Sequence, residues 1–149
     1  MSFPSGWADF LQSLLGAVVA ANPWFTRASV ATALEAWAEA LSPAAVDRWV
    51  AQYPELTDPS NRKKVGVINA GNIPLVGLHD LLSVFLSGHC YIGKNASDDR
   101  LLLPWIVSIL QEIDPEVSKS IHFVEKLEGI EAAIATGSDN SSRYFEYYF

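Results

Sequence analysis

The sequence predicts an α/β fold: a parallel sheet of about four strands with flanking helices, set behind an N-terminal helical segment. Three observations carry this expectation. Val65, Val67 and Ile68 form a short β-rich run, followed at once by Gly71 and Asn72 as a turn and by Pro74, a residue suited to the first turn of a helix. An apolar stretch from Ile73 to Ser87 then reads as a helix covered on most sides, and His89 to Gly93 as a second strand. Such a strand, helix and strand imply parallel pairing, because parallel neighbours need a crossover. Ile121–Val124 and Ala132–Ala135 supply the third and fourth strands.

The elements follow in order. Trp7, Phe10, Leu11, Leu14, Leu15, Val18 and Val19 recur at helical spacing, and Asn22-Pro23 ends that helix. A second helix is predicted from about Ala28 to Leu41. Ser42 and Pro43 then offer a cap and a first-turn proline to a third, which carries Val46, Trp49, Val50 and Tyr53. Residues 1–55 are thus a helical segment, 56–64 a linker loop rich in turn formers, and 65–149 an α/β domain. Within it, Ser97, Asp98 and Asp99 open a helix running to about Glu112, with Pro104 early enough to be tolerated. Thr136 to Asp139 open a last helix. The chain stops in the aromatic run Arg143 to Phe149, so the expected architecture is an incomplete Rossmann-like sheet whose open edge calls for more chain or a partner.

Composition narrows the function classes. At 149 residues, 50% hydrophobic and 18% charged, the chain suits one globular domain, and five tryptophans suggest a large core. A net charge of -7 with one basic cluster, Arg62 to Lys64, argues against nucleic acid and makes that triplet a solvated loop. No stretch reaches the ~18 apolar residues of a membrane span, and the start lacks a signal peptide's basic residues. One cysteine excludes an internal disulfide and fits a reducing cytoplasm, where the sequons at Asn95 and Asn140 are chance matches.

Gly88 to Asn95 nearly spells a phosphate loop, but His89 to Ile92 read as a buried strand and Asn95 replaces the magnesium-binding hydroxyl. The dinucleotide glycine pattern is absent, because Gly66, Gly71 and Gly77 have the wrong spacing. What remains is Gly71-Asn72 and Gly137-Ser138, two openings after strands where free N–H groups can meet an anion, and Lys94 at the end of a strand, within reach of a ribose or phosphate. Each taken singly also has a plain reading as a cap, a turn or a solvated side chain. Cys90, inside an apolar strand with no adjacent base, reads as a small buried residue. His79, His89 and His122 lack metal-ligand spacing, and His79 and Asp80, adjacent on a helix, are expected to point apart.

Gly71-Asn72-Ile73-Pro74-Leu75, then Ser87-Gly88-His89 through Lys94-Asn95-Ala96-Ser97, then Ala135 to Ser138 with Asn140 to Phe145, resemble the bacterial fatty acyl-CoA reductases of the LuxC type, within the aldehyde dehydrogenase superfamily. The resemblance covers about Val65 to Phe149, and the helical segment more loosely. It implies NADPH-dependent reduction of an acyl-CoA thioester to a fatty aldehyde through an acyl-enzyme on a cysteine. By it, Asn72 steadies the oxyanion, Lys94 contacts the adenosine ribose, and Gly137 and Ser138 lie beside the pyrophosphate. Ser97 stands where NAD-preferring relatives often carry a glutamate, so a 2′-phosphate is admitted. The family's nucleophilic cysteine lies beyond the end of this sequence and Cys90 does not match it. The chain is therefore expected to be the cofactor-binding part of a reductase, inactive alone, with a homo-oligomer or a complementing C-terminal half as partner. The alternative is a binding module that docks through its open sheet edge and terminal aromatics.

Overall fold

The structure is a computed structural model and describes residues 7–54 and 61–135. Its order is α1 (Trp7–Ala21), α2 (Arg27–Ala40), α3 (Pro43–Val50), β1 (Lys64–Ile68), α4 (Leu78–Leu86), β2 (Cys90–Lys94), α5 (Leu102–Ile113), a 3-10 turn (Pro115–Lys119), β3 (Ile121–Phe123) and β4 (Ala132–Ala135). The strands form one parallel sheet in the order β3-β2-β1-β4, a Rossmann-like α/β arrangement. The last helix expected from Thr136, and with it Gly137 and Ser138, lies outside the described residues.

Alternation along the strands sorts their side chains onto two faces. Val65 pairs with Tyr91, and both, with Val67, are buried in one core together with Leu78 and Leu81 of α4 and Leu102 and Val107 of α5. Val18, Phe25 and Val30 join the same core, so the helical segment packs onto the α/β portion through a continuous apolar interior. On the other face, Gly66 leaves room for the connection from β3 to β4, where a Cβ would stand 2.7 Å from Ile130 Cδ1 and 3.2 Å from Leu127 Cδ1. A short strap therefore covers that face of β1 where a helix would otherwise lie.

Local chemistry explains the helix ends. Asn22 closes α1, its N–H bonding Val18 O at 3.1 Å. A capping box opens α2, with Thr26 Oγ1 accepting from Ser29 N at 3.0 Å and Ser29 Oγ accepting from Thr26 N at 2.9 Å. Pro43 is the first residue of α3, while Ser42 makes no side-chain cap. Gly88, at φ 78, ends α4: its N–H bonds Phe85 O at 3.0 Å and the His89 N–H bonds Val84 O at 3.1 Å, a Schellman pair. This glycine stops a helix, and the phosphate-loop look-alike is a helix end running into a strand.

Several expectations are corrected. The helix after β1 starts at Leu78, not near Ile73, because Leu75 takes a left-handed φ of 60 that no helix can carry, so Pro74 lies in the preceding turn. α5 starts at Leu102, after a turn at 97–101, with the Leu102 N–H 3.4 Å from Asp99 Oδ1. Pro104 thereby falls in the first turn, where its missing N–H costs nothing. His89 precedes β2 instead of opening it. His79 and Asp80 approach to 3.7 Å instead of pointing apart, and His79 stacks on Trp49 with ring centroids 5.6 Å apart. Arg62 is more than a solvated cation, since it donates to Lys119 O at 3.1 Å and Ser120 Oγ at 2.6 Å. Of the four tryptophans whose burial is described, none is fully buried: Trp24 is exposed, and Trp37, Trp49 and Trp105 are half-buried, with Trp37 and Trp49 packed against the core. Among the described residues no helix is long and apolar enough to cross a membrane.

Candidate functional site

From β1 the chain builds outward through β2 to β3 on one side, and then returns to add β4 on the other. Crevices at the carboxyl ends of parallel strands form where the winding reverses in this way. In this sheet the reversal falls between β1 and β4, and the crevice lies one strand to the side of it: a cavity of ≈ 770 Å³ between the loop after β1, residues 69–76, and the loop after β2, residues 94–98, with Trp24 from the helical segment at its wall. Asn72, Lys94 and Ser97 all line it. Cys90 is buried at the opposite, amino end of β2, a strand of ~13 Å at ~3.3 Å per residue, too far to serve as a nucleophile there.

The floor is a polar cluster beneath the two loops. Asn69 follows β1 directly and extends the ladder by one bond, its N–H to Lys94 O at 2.9 Å. Its buried side-chain amide donates to Tyr91 Oη at 2.7 Å and to Asn95 Oδ1 at 2.9 Å, tying β1, β2 and the second loop together. Among the described residues Asn69 Oδ1 has no hydrogen-bond partner, and it lies against Gly77, where any Cβ would collide with it. Tyr91 lies flat over Gly93, whose Cβ would stand 2.6 Å from the phenol oxygen. Burial pushes the Tyr91 phenol well above its ordinary range; the Asn69 hydrogen bond pulls it back in part, and the Asp80 charge adds to the rise.

The loops are wedged against each other and against α1. A Cβ on Gly71 would meet Ala96 Cβ at 2.7 Å, so the first loop approaches the second only because position 71 has none. Asn22, 1% exposed, donates from Nδ2 to Gly71 O at 2.8 Å, and its Oδ1 accepts the Trp24 N–H at 2.9 Å. Leu75 holds the turn from inside, buried to 2% exposure in a conformation that costs a non-glycine residue about 1–2 kcal/mol.

Electrostatically the crevice has one cation and one acid in its lining, Lys94 and Asp98. Ser97 Oγ donates to Asp98 Oδ1 at 3.0 Å. Among the described residues neither the Lys94 ammonium nor the exposed Asn72 amide is engaged in a hydrogen bond or ion pair. Asp99, behind the second loop, is pushed above the usual carboxylate range by burial, with the N–H groups of Leu102 and Leu101 pulling it back. Because α4 begins at Leu78, no helix N-terminus meets Gly71-Asn72, and side-chain donors and the turn itself face the cavity instead.

Three of the residues singled out from the sequence are therefore brought together, and Gly137 and Ser138 lie outside the described residues. Asn22, Trp24, Asn69, Tyr91 and Asn95 were not anticipated. For Asn69 the available signal was an asparagine directly after the β-branched run Val67-Ile68, and for Asn22 the Asn-Pro pair that ends α1. A smaller cavity of ≈ 230 Å³ shares Asn95 and continues past Arg100 and Phe123, where Arg100 and Glu125 approach to 3.6 Å. Comparison of this chain with protein-family models, with curated proteins and with solved structures finds no significant match.

Proposed function

We propose that the crevice binds a phosphate-bearing dinucleotide, NADPH, and that the chain is the cofactor-binding part of an NADPH-dependent acyl-CoA reductase acting on fatty acyl thioesters in the cytoplasm. The observation that carries this reading is the gathering of Asn72, Lys94 and Ser97 around one cavity at the carboxyl ends of β1 and β2. At ≈ 770 Å³ the cavity falls within the ~300–1,000 Å³ of small-molecule and cofactor sites. The donor set suits the group as well: an unpaired ammonium at Lys94 for phosphate or ribose oxygens and amides at Asn72 and Asn95, with the Ser97 hydroxyl turned to Asp98, the one carboxylate in the lining.

When bound, NADPH supplies a hydride to the thioester carbonyl. The chain's own part is narrower. Lys94 and Ser97 would hold the adenosine end, and the Asn72 amide would stand as a fixed donor for an oxyanion. Gly71, pressed against Ala96, and Asn22, bonded to Gly71 O, hold the backbone of the turn that carries that amide. Cys90, buried at the far end of β2, is not the nucleophile of this reading, and turnover by residues 1–149 alone is not expected.

The test is a titration of the purified chain with NADPH and NADH, read by tryptophan-to-nicotinamide energy transfer and repeated on Lys94→Ala. The expected result is saturable binding that favours NADPH and is largely lost in the variant. Absence of binding to a folded chain, or binding indifferent to Lys94, would overturn the reading. The docking-module alternative is favoured by a different observation, the edge strand β4, on which Ala132, Ala133 and Ala135 are exposed. Concentration-dependent association in sedimentation velocity, without nucleotide binding, is the outcome that would put it ahead.

A further inference from the structure

We propose that Trp24 is a stacking face for the heteroaromatic ring of the ligand in the crevice, an inference that rests on the dinucleotide reading. Tryptophan is on average well buried, yet Trp24 is 74% exposed. Two residues close to it in sequence are the opposite: Asn22 is 1% and Phe25 2% exposed. The backbone at Trp24 is accordingly pinned while its side chain is presented outward. The pinning is specific. Asn22 Oδ1 accepts the Trp24 N–H at 2.9 Å, the Phe25 N–H bonds Asn22 O at 3.1 Å, and Asn22 Nδ2 reaches across to Gly71 O at 2.8 Å.

That last bond ties Asn22, which holds the Trp24 backbone, to the same turn that carries Asn72, and Trp24 lines the same cavity as Lys94. An aromatic side chain has two rotatable bonds, so an indole on a fixed backbone loses little entropy when it receives a flat partner. A ligand that suits the crevice thus combines an anionic group for Lys94 with a planar ring for Trp24. In a nicotinamide dinucleotide either ring meets that description, and the two are separable as fragments.

The experiment is calorimetric titration of the intact chain and of its Trp24→Ala and Trp24→Phe variants with NADPH, 2′,5′-ADP and reduced nicotinamide mononucleotide, with melting temperatures measured alongside. Trp24→Ala is expected to weaken NADPH by about ten- to hundredfold, the usual worth of one stacked base. Trp24→Phe is expected to retain most of the affinity, and only the fragment bearing the stacked ring should share the loss. The melting temperature should not move, because the side chain is exposed. NADPH affinity unchanged in Trp24→Ala, or equally reduced in Trp24→Phe, overturns this inference and leaves the crevice reading intact. A wild-type chain that binds no NADPH overturns both.

Discussion

The amide of Asn69 donates to the phenol of Tyr91 at 2.7 Å beneath the crevice, a bond between the residue that follows β1 and the second residue of β2. Because the phenol is buried and accepts this bond, Tyr91→Phe removes a hydrogen bond without opening a large cavity. The expected cost is about 1 kcal/mol, read as a lower urea midpoint at unchanged slope. The pH dependence has a definite sign. The folded state raises the phenol's pKa above its ordinary 10.0, so below pH 10 both states keep the proton and the group adds no pH dependence. Above that value the unfolded chain releases its proton first, and stability falls as pH rises. Subtracting the alkaline profile of Tyr91→Phe from that of the wild type should isolate this fall; parallel profiles would contradict it.

Gly71 and Ala96 form a second sensitive contact. A methyl at position 71 would sit 2.7 Å from Ala96 Cβ, so Gly71→Ala must push the loops apart, at about 1–3 kcal/mol. Removing the other methyl should restore the fit. The double variant Gly71→Ala with Ala96→Gly is expected to be more stable than the sum of the single changes predicts, and strict additivity in denaturant melts would count against the wedge.

Gly88 tests a sequence likeness. Nothing lies within 4 Å of the Cβ it lacks, so Gly88→Ala meets only the strain of φ 78. It should cost about 1 kcal/mol and leave nucleotide affinity unchanged. A large loss of triphosphate binding would revive the phosphate loop that the Schellman pair argues against.

Ser97→Glu places a carboxylate in the crevice beside Asp98. On the dinucleotide reading, like-charge repulsion should weaken NADPH relative to NADH by at least about tenfold, measured as the ratio of the two dissociation constants. An unchanged ratio would mean that position 97 does not face the 2′-phosphate.

The strands were legible because each is a short run of β-branched, aromatic or alanine residues close to turn formers: the fourth, Ala132–Ala135, falls where the sequence put it, and the others differ by a residue at one or both ends. The start of α4 was not. Asn72-Ile73-Pro74-Leu75 has the chemistry of a helix opening, and what overrides it is tertiary: Gly71 against Ala96, Gly77 against Asn69, and a buried Leu75 forced to positive φ. None of these contacts leaves a local trace. The same holds within the site. Lys94 and Asn72 could be named from their places after strands, and Ser97 only through the resemblance, whereas Asn22 and Trp24 come from a helical segment that the sequence sets apart as a separate unit. Their part depends on one long-range hydrogen bond that no periodicity encodes.

That bond, from Asn22 to Gly71 across 49 positions, makes the crevice a joint property of two stretches of chain. Any occupant that touches both walls is also a clasp between them. Its apparent affinity is then scaled by the fraction of molecules in which the two are docked, and its binding energy in turn holds them together. Saturation with such an occupant should therefore slow amide exchange in α1 and α2 as well as in the loops it touches, so the helical segment would register what the sheet has bound.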